Sequence, residues 1–173
     1  MKMIKIIGLA LIAACITLVA ALPACSGDGG GSYIGEPAPD FNLPGLDNKS
    51  VSLKDQRGKV VFINFWATSC PPCVAEMPHF QDLYRDWSAR NDVVLLTINI
   101  GEDAGTVRNF MQSNNYSFPV LLDTQLKVAE MYRIQYTPTS LVIDKNGLLQ
   151  QRVIGAFRDK SAIVKTVEGA FHQ

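Results

Sequence analysis

The apolar run Val60-Val61-Phe62-Ile63-Asn64-Phe65-Trp66 leads through Ala67-Thr68-Ser69 into Cys70-Pro71-Pro72-Cys73. Starting at Lys59, the run suits a central strand buried on both faces. Beyond it, Met77, Phe80, Leu83, Tyr84 and Trp87 recur at three- and four-residue spacing, which predicts a helix from about Pro71 to Arg90. Pro71 and Pro72 suit its first turn, and Pro78 inside it predicts a kink. The strand must therefore hand the chain to a helix with a cysteine at the junction. Helix N-termini carry unpaired N–H groups and partial positive charge, which stabilise a thiolate. Cys70 is expected to be a nucleophile near neutral pH. Cys73, in the first turn, is expected to be more buried and placed to attack a mixed disulfide on Cys70.

The remaining chain alternates strand and helix patterns. Ala38 to Leu43 and Ser50 to Leu53, around Pro44-Gly45 and Asp47-Asn48, predict a small opening hairpin. Val93 to Ile100 reads as another buried strand and Ala104 to Asn114 as a helix. Val120 to Leu122 is a short extended piece before a helix from about Gln125 to Tyr132. Ser140 to Asp144 and Leu148 to Ile154 flank Lys145-Asn146-Gly147, a hairpin signal because Asn-Gly favours the tight turn. Asp159 to Phe171 closes the chain as a helix with Ala162, Ile163, Val167 and Ala170 toward the core. This order predicts an α/β sandwich with a mixed sheet. Tyr84, Trp87, Met111 and Met131 read as core or half-buried packing, and Glu102, Asp103 and Arg108 as a solvated face.

The N-terminus reads as an address. Lys2 and Lys5 precede an apolar run from Ile6 to Leu22, the layout of an export signal. Leu22-Pro23-Ala24-Cys25 resembles a bacterial lipobox, which implies a diacylglyceryl group on Cys25 as the mature N-terminus. Cys15 also fits the pattern, but behind a much shorter apolar segment. An uncleaved membrane helix from Ile4 to Leu22 and a soluble secreted product are the alternatives. All place the domain outside the cytoplasm, and the first two keep it on a membrane. Ser26-Gly27-Asp28-Gly29-Gly30-Gly31-Ser32 follows as a flexible tether.

Composition removes several function classes. Without the first 24 residues the chain holds 14 basic and 16 acidic side chains, so nothing supports a nucleic-acid face. Cys70 and Cys73 are the only cysteines of the folded part and sit too close together to close a long loop. They suit a dithiol that cycles between oxidised and reduced forms. A zinc site needs more ligands than this pair with His79 and His172 supplies, and an inert disulfide is the other alternative. No metal and no cofactor are expected.

Trp66 through Cys73 resembles the active-site stretch of thioredoxins, more closely that of the TlpA/ResA-like extracytoplasmic, redoxin-type thiol-disulfide oxidoreductases. Pro37-Ala38-Pro39-Asp40-Phe41 with Leu53, and Gly58-Lys59, look like that branch's opening. Tyr136-Thr137-Pro138-Thr139, followed by Leu141-Val142-Ile143-Asp144, extends the likeness, which runs from about residue 35 to the end. It implies a thioredoxin fold: a central mixed β-sheet flanked by helices, with an N-terminal β-hairpin extension and a central helix-strand insert. The implied layout is a signal peptide over 1–24, a lipidated cysteine and linker over 25–34, and the domain over 35–173. Ser69 departs from the family, where an aromatic residue, usually tryptophan, precedes the first cysteine.

The likeness also implies roles. Pro138 would follow a cis peptide bond and face the dithiol, with the Thr137 backbone pairing with an extended client segment by strand addition. Trp66, Pro71 and Pro72 complete the expected client seat. Asn64 stands where cytoplasmic thioredoxins carry a buried aspartate. Glu76, one turn after Cys73, is expected to take or give that thiol's proton. Pro71 and Pro72 offer no N–H to the Cys70 thiolate, which predicts a higher thiol pKa and a reducing couple. The implied partners are a transmembrane thiol donor of CcdA or DsbD type and apocytochrome c as client, with the protein a monomer. A general extracytoplasmic disulfide reductase or isomerase is an alternative. A thiol peroxidase is the main rival of another class, although Ile63 stands where its motif requires proline. A copper chaperone would need a different cysteine spacing.

Overall fold

A computed structural model describes residues 33–171. The expected signal segment, Cys15, Cys25, the glycine-rich tether and His172 lie outside these residues. The chain forms β1 (Asn42–Pro44), β2 (Ser50–Ser52), a 3₁₀ turn (Leu53–Gln56), β3 (Val60–Trp66), α1 (Pro71–Trp87) and β4 (Val93–Ile100). It continues through α2 (Ala104–Ser113), β5 (Val120–Asp123), α3 (Lys127–Met131), β6 (Thr139–Ile143), β7 (Leu149–Ile154) and α4 (Lys160–Glu168). The main sheet runs β5-β4-β3-β6-β7, with β1 and β2 as a separate hairpin. β3, β4 and β5 are parallel, β6 runs antiparallel to β3, and β7 runs antiparallel to β6. This is the mixed, helix-flanked sheet expected from the order of elements, and α2, β5 and α3 form the insert between β4 and β6.

Strand periodicity explains how β3 organises the core. All seven of its residues are buried, and successive side chains point to opposite faces. Val60, Phe62 and Trp66 join Met77, Phe80, Leu83 and Trp87 of α1, with Ile163 and Val167 of α4. Val61, Ile63 and Phe65 join Phe41, Leu43, Val128 and Tyr132 on the other face. Asn64 falls on the α1 face of this strand, a polar residue in an apolar layer. Phe62 lies at the centre of that layer, its ring 5.9 Å from Phe80, 6.5 Å from Trp87 and 6.0 Å from Phe157.

Several boundaries differ from the sequence expectation for local reasons. α1 stops at Trp87, not Arg90, because Arg90 turns back to pair with Asp92 at 2.8 Å. It runs continuously through Pro78, which is exposed and leaves the Val74 carbonyl without its helical N–H donor. Pro44 pairs with Ser50 as the last residue of β1 instead of forming the turn. α3 is shorter than predicted because Leu126 takes a left-handed φ of 61° just before it. α4 covers Lys160–Glu168 within the predicted 159–171 span, with Asp159 as its N-cap, and Ala162 is half-buried. Met131 is 43% exposed, so it is not core packing. At the β6–β7 hairpin, Gly147 has a φ of +81°, and a β-carbon there would land 0.5 Å from Arg57 Nη1. Only glycine satisfies both conditions.

Phe62→Ala should cost about 3–5 kcal/mol in urea unfolding, because it opens a cavity among three aromatic rings. A loss under about 1 kcal/mol would mean that this layer collapses onto the gap.

Candidate functional site

The C-terminal end of β3 and the N-terminal end of β6 lie side by side at one end of the sheet, where Phe65 pairs with Thr139. The redox cysteines follow β3 there, and the Thr137–Pro138 loop leads into β6. Cys70 and Cys73 are joined by a disulfide with a Cα separation of 5.3 Å. Cys70 is the N-cap of α1, and its Sγ accepts from the Cys73 backbone N–H at 3.3 Å. Sulfur thus fills the place an oxygen cap usually takes. Pro71 and Pro72 occupy the next two positions and have no N–H, so of the three residues after the cap only Cys73 offers one. Cys70 is half-buried and Cys73 wholly buried, while Pro71 and Pro72 are exposed.

Glu76 is 0% exposed, one turn beyond Cys73. Its Oε1 accepts from Asn64 Nδ2 at 3.0 Å and its Oε2 from the Phe157 backbone N–H at 2.9 Å. Burial pushes its pKa up from 4.5 to about 7, while these two hydrogen bonds pull the other way. Asn64 Nδ2 also donates to Ser140 Oγ at 2.9 Å, which ties α1, β3 and β6 together beneath the dithiol.

The loop before Cys70 is held by a residue expected to face solvent. Glu102 Oε2 accepts from the Thr68 N–H at 2.8 Å and Oε1 from Thr68 Oγ1 at 2.6 Å. Asn99 Nδ2 donates to the same carboxylate at 2.6 Å. Glu102 therefore braces the active-site loop. Its position just past the C-terminal end of β4, parallel to β3, was the available sequence signal. Asp103 caps α2 through Gly105 and Thr106. Arg108 is exposed.

The Thr137–Pro138 bond is cis. Thr139 Oγ1 donates to the Tyr136 carbonyl at 2.6 Å, and the Gly155 N–H donates to the Pro138 carbonyl at 2.8 Å. Pro138 is buried and Thr137 half-buried, while Tyr136 and Ile154 beside them are 65% and 63% exposed. Trp66 does not belong to the client seat. It is 0% exposed and packs on Phe110 at 5.4 Å, so it supports the loop from beneath. Among the described residues, no group of three or more His, Cys, Asp or Glu side chains could hold a metal ion. Also among these residues, no helix is long and apolar enough to cross a membrane.

Residues 34–152 match the AhpC/TSA family. The chain is 38% identical to the thiol-disulfide oxidoreductase ResA of Bacillus anthracis over 122 residues, 70% of each chain. It is similar to the structure of a thiol:disulfide interchange protein of the thioredoxin family from Chlorobium tepidum TLS. That match has a TM-score of 0.69 at 30% identity, covering 78% of this chain and 94% of that one. The pneumococcal exposed lipoprotein thioredoxin Etrx1 from Streptococcus pneumoniae strain TIGR4 matches with a TM-score of 0.67 at 34% identity. It covers 75% of this chain and 98% of that one.

Two outcomes follow from the geometry. Glu76 binds its proton more tightly in the native state than in the unfolded chain. The resulting stability is complete below about pH 4.5 and is lost as pH rises through about 7. The disulfide form should therefore lose roughly 3 kcal/mol of stability over that window, and Glu76→Gln should flatten this part of the profile. A wild-type slope retained in Glu76→Gln would assign the titration to another group. Separately, Glu102→Ala should speed amide exchange at Thr68 by at least about ten-fold, since a hydrogen bond to a charged acceptor contributes ~1.5–3 kcal/mol. Unchanged exchange would show that the loop is held by other contacts.

Proposed function

Because the chain belongs to the AhpC/TSA family and is a thiol-disulfide oxidoreductase of ResA type, we propose that its dithiol works as a membrane-anchored reductant of protein disulfides outside the cytoplasm. The observation that carries the direction is the cap of α1. Cys70 Sγ has the Cys73 N–H within reach, and Pro71 and Pro72 remove the two donors that would otherwise stand beside it. A thiolate with fewer donors is less stabilised. Its thiol pKa is then higher and its disulfide harder to reduce, which makes the dithiol a better electron donor.

The exchange runs in two displacements. The Cys70 thiolate attacks one sulfur of the client disulfide, forming a Cys70–client bond and releasing the other client sulfur as thiolate. Cys73 then passes its proton to the Glu76 carboxylate and attacks Cys70 Sγ. This releases the second client thiolate and closes the Cys70–Cys73 disulfide. Two electrons leave the protein dithiol, the Cys73 proton rests on Glu76, and two client thiolates result, which take protons from solvent. Removing a charge from buried Glu76 favours proton uptake, so the step suits a carboxylate with a pKa of about 7.

The Thr137 backbone at the cis-proline loop seats the client as an added strand, and exposed Tyr136 and Ile154 supply apolar surface next to it. Lipid on Cys25 anchors the domain, with Cys15 as the alternative site, and the glycine-rich tether gives it reach. A relative of similar fold is described as an exposed lipoprotein, which supports this placement. Apocytochrome c is the proposed client. Re-reduction in an oxidising compartment then requires a membrane thiol carrier of CcdA or DsbD type.

Cys73→Ala should accumulate clients on Cys70 as mixed disulfides, with apocytochromes among the trapped proteins, and the wild-type couple should lie near roughly −270 mV. A potential above about −180 mV would contradict the reductant role. Trapped proteins without apocytochromes would favour a general disulfide reductase.

A further inference from the structure

A buried polar side chain directly against Glu76 carries no step of the exchange chemistry. Asn64 is 0% exposed on the α1 face of β3. Its Nδ2 donates to Glu76 Oε1 at 3.0 Å and to Ser140 Oγ at 2.9 Å. Its Oδ1 is also buried and has no partner among the described residues. A buried amide oxygen without a donor is costly, so its retention beside the proton-handling carboxylate calls for a use.

We propose that Asn64 is a positioning residue for the proton-transfer step, its side-chain amide turning over as Glu76 gains and loses its proton. This rests on Glu76 being the acceptor of the Cys73 proton. Ionised Glu76 only accepts hydrogen bonds, and Asn64 Nδ2 and the Phe157 N–H supply one to each of its oxygens. Protonated Glu76 has one O–H donor. The Phe157 N–H is a backbone donor and keeps Oε2, so the new proton sits on Oε1, facing Asn64. Two donors would then oppose each other.

A half-turn of the amide brings Oδ1 to the Glu76 O–H and converts the clash into a hydrogen bond. Ser140 follows without moving its oxygen, because its hydroxyl rotates from accepting to donating. Each orientation leaves one amide atom unmatched, so the turn keeps Glu76 paired in both states at similar cost. Aspartate at this position could only accept while ionised, and it would place a like charge beside Glu76. Leucine could do neither. Asparagine serves both protonation states.

Among the described residues no charged side chain contributes to the Glu76 pKa, which burial and the two hydrogen bonds set. β3 and β6 present the non-titrating Asn64 and Ser140, and the segment after β7 presents a backbone N–H. Arg158 and Asp159, which follow Phe157, are exposed. On α1 itself, Cys73 is locked in the disulfide and does not titrate in the oxidised protein.

The test uses the oxidised protein. The infrared C=O band of protonated Glu76, identified by its loss in Glu76→Gln, is followed across neutral pH alongside the Asn64 side-chain amide resonances of the wild type. The expected result is that amide and band titrate with one midpoint, and that Asn64→Leu raises that midpoint by about one pH unit or more. Amide resonances that stay constant while the band titrates would overturn the inference, and this measurement needs no variant to fold. A midpoint in folded Asn64→Leu within a few tenths of the wild type would overturn it as well. Absence of any Glu76 band near neutral pH would instead remove Glu76 as proton acceptor, and the Asn64 role would fall with it.

Discussion

The first turn of α1 is short of donors because Pro71 and Pro72 have no N–H, and among the described residues Cys70 Sγ accepts from the Cys73 N–H. The rest of the site is organised around that contact. β3 must be buried along its length to deliver Cys70 to the helix start, and its apolar side chains alternate between two core layers. The Phe65–Thr139 pairing places the cis-proline loop at the same end of the sheet. Glu102 holds the intervening loop through both the backbone and the hydroxyl of Thr68. Fold and chemistry share one junction, so a change in the apolar packing under Trp66 would also move the reactive sulfur.

A second constraint works against the first. Stabilising a thiolate calls for positive potential, but among the described residues no charged side chain acts on the buried carboxylate beyond Cys73. That carboxylate is Glu76, whose charge is disfavoured by burial and supported by only two hydrogen bonds. The helix start and the carboxylate therefore divide the work. In the proposed exchange the former modestly favours the Cys70 thiolate, and the latter takes the Cys73 proton. Asn64 and Ser140 link that carboxylate to the two central strands, so its position is fixed by the sheet as well as by its own helix.

Much of this was legible before the structure. The buried run of β3, the dithiol at a helix start, the Asn-Gly hairpin and the inward Glu76 follow from periodicity, spacing and turn chemistry. Pro138 was legible only through its family resemblance. Glu102 was not, because an acidic residue after a strand looks solvated until the parallel β3–β4 register brings it beside Thr68. The family resemblance of the Trp66–Cys73 stretch points Trp66 to the client seat, but its strand position turns it inward. Helical spacing points Met131 to core or half-buried packing, but α3 is too short to sustain that periodicity after the left-handed Leu126. Local patterns reported local structure, and residues whose partners lie in another strand stayed hidden.

The proposed direction of electron flow depends on how weakly the helix start stabilises the Cys70 thiolate. The most direct measurement is the Cys70 pKa in the reduced protein, read from thiolate absorbance or from alkylation rate against pH. With one remaining donor it should lie closer to the free-thiol value of about 8.5 than to the roughly 3.5 of a strongly oxidising dithiol. A value below about 5 would contradict the account, because the thiolate would then be stabilised as in an oxidant despite the two prolines.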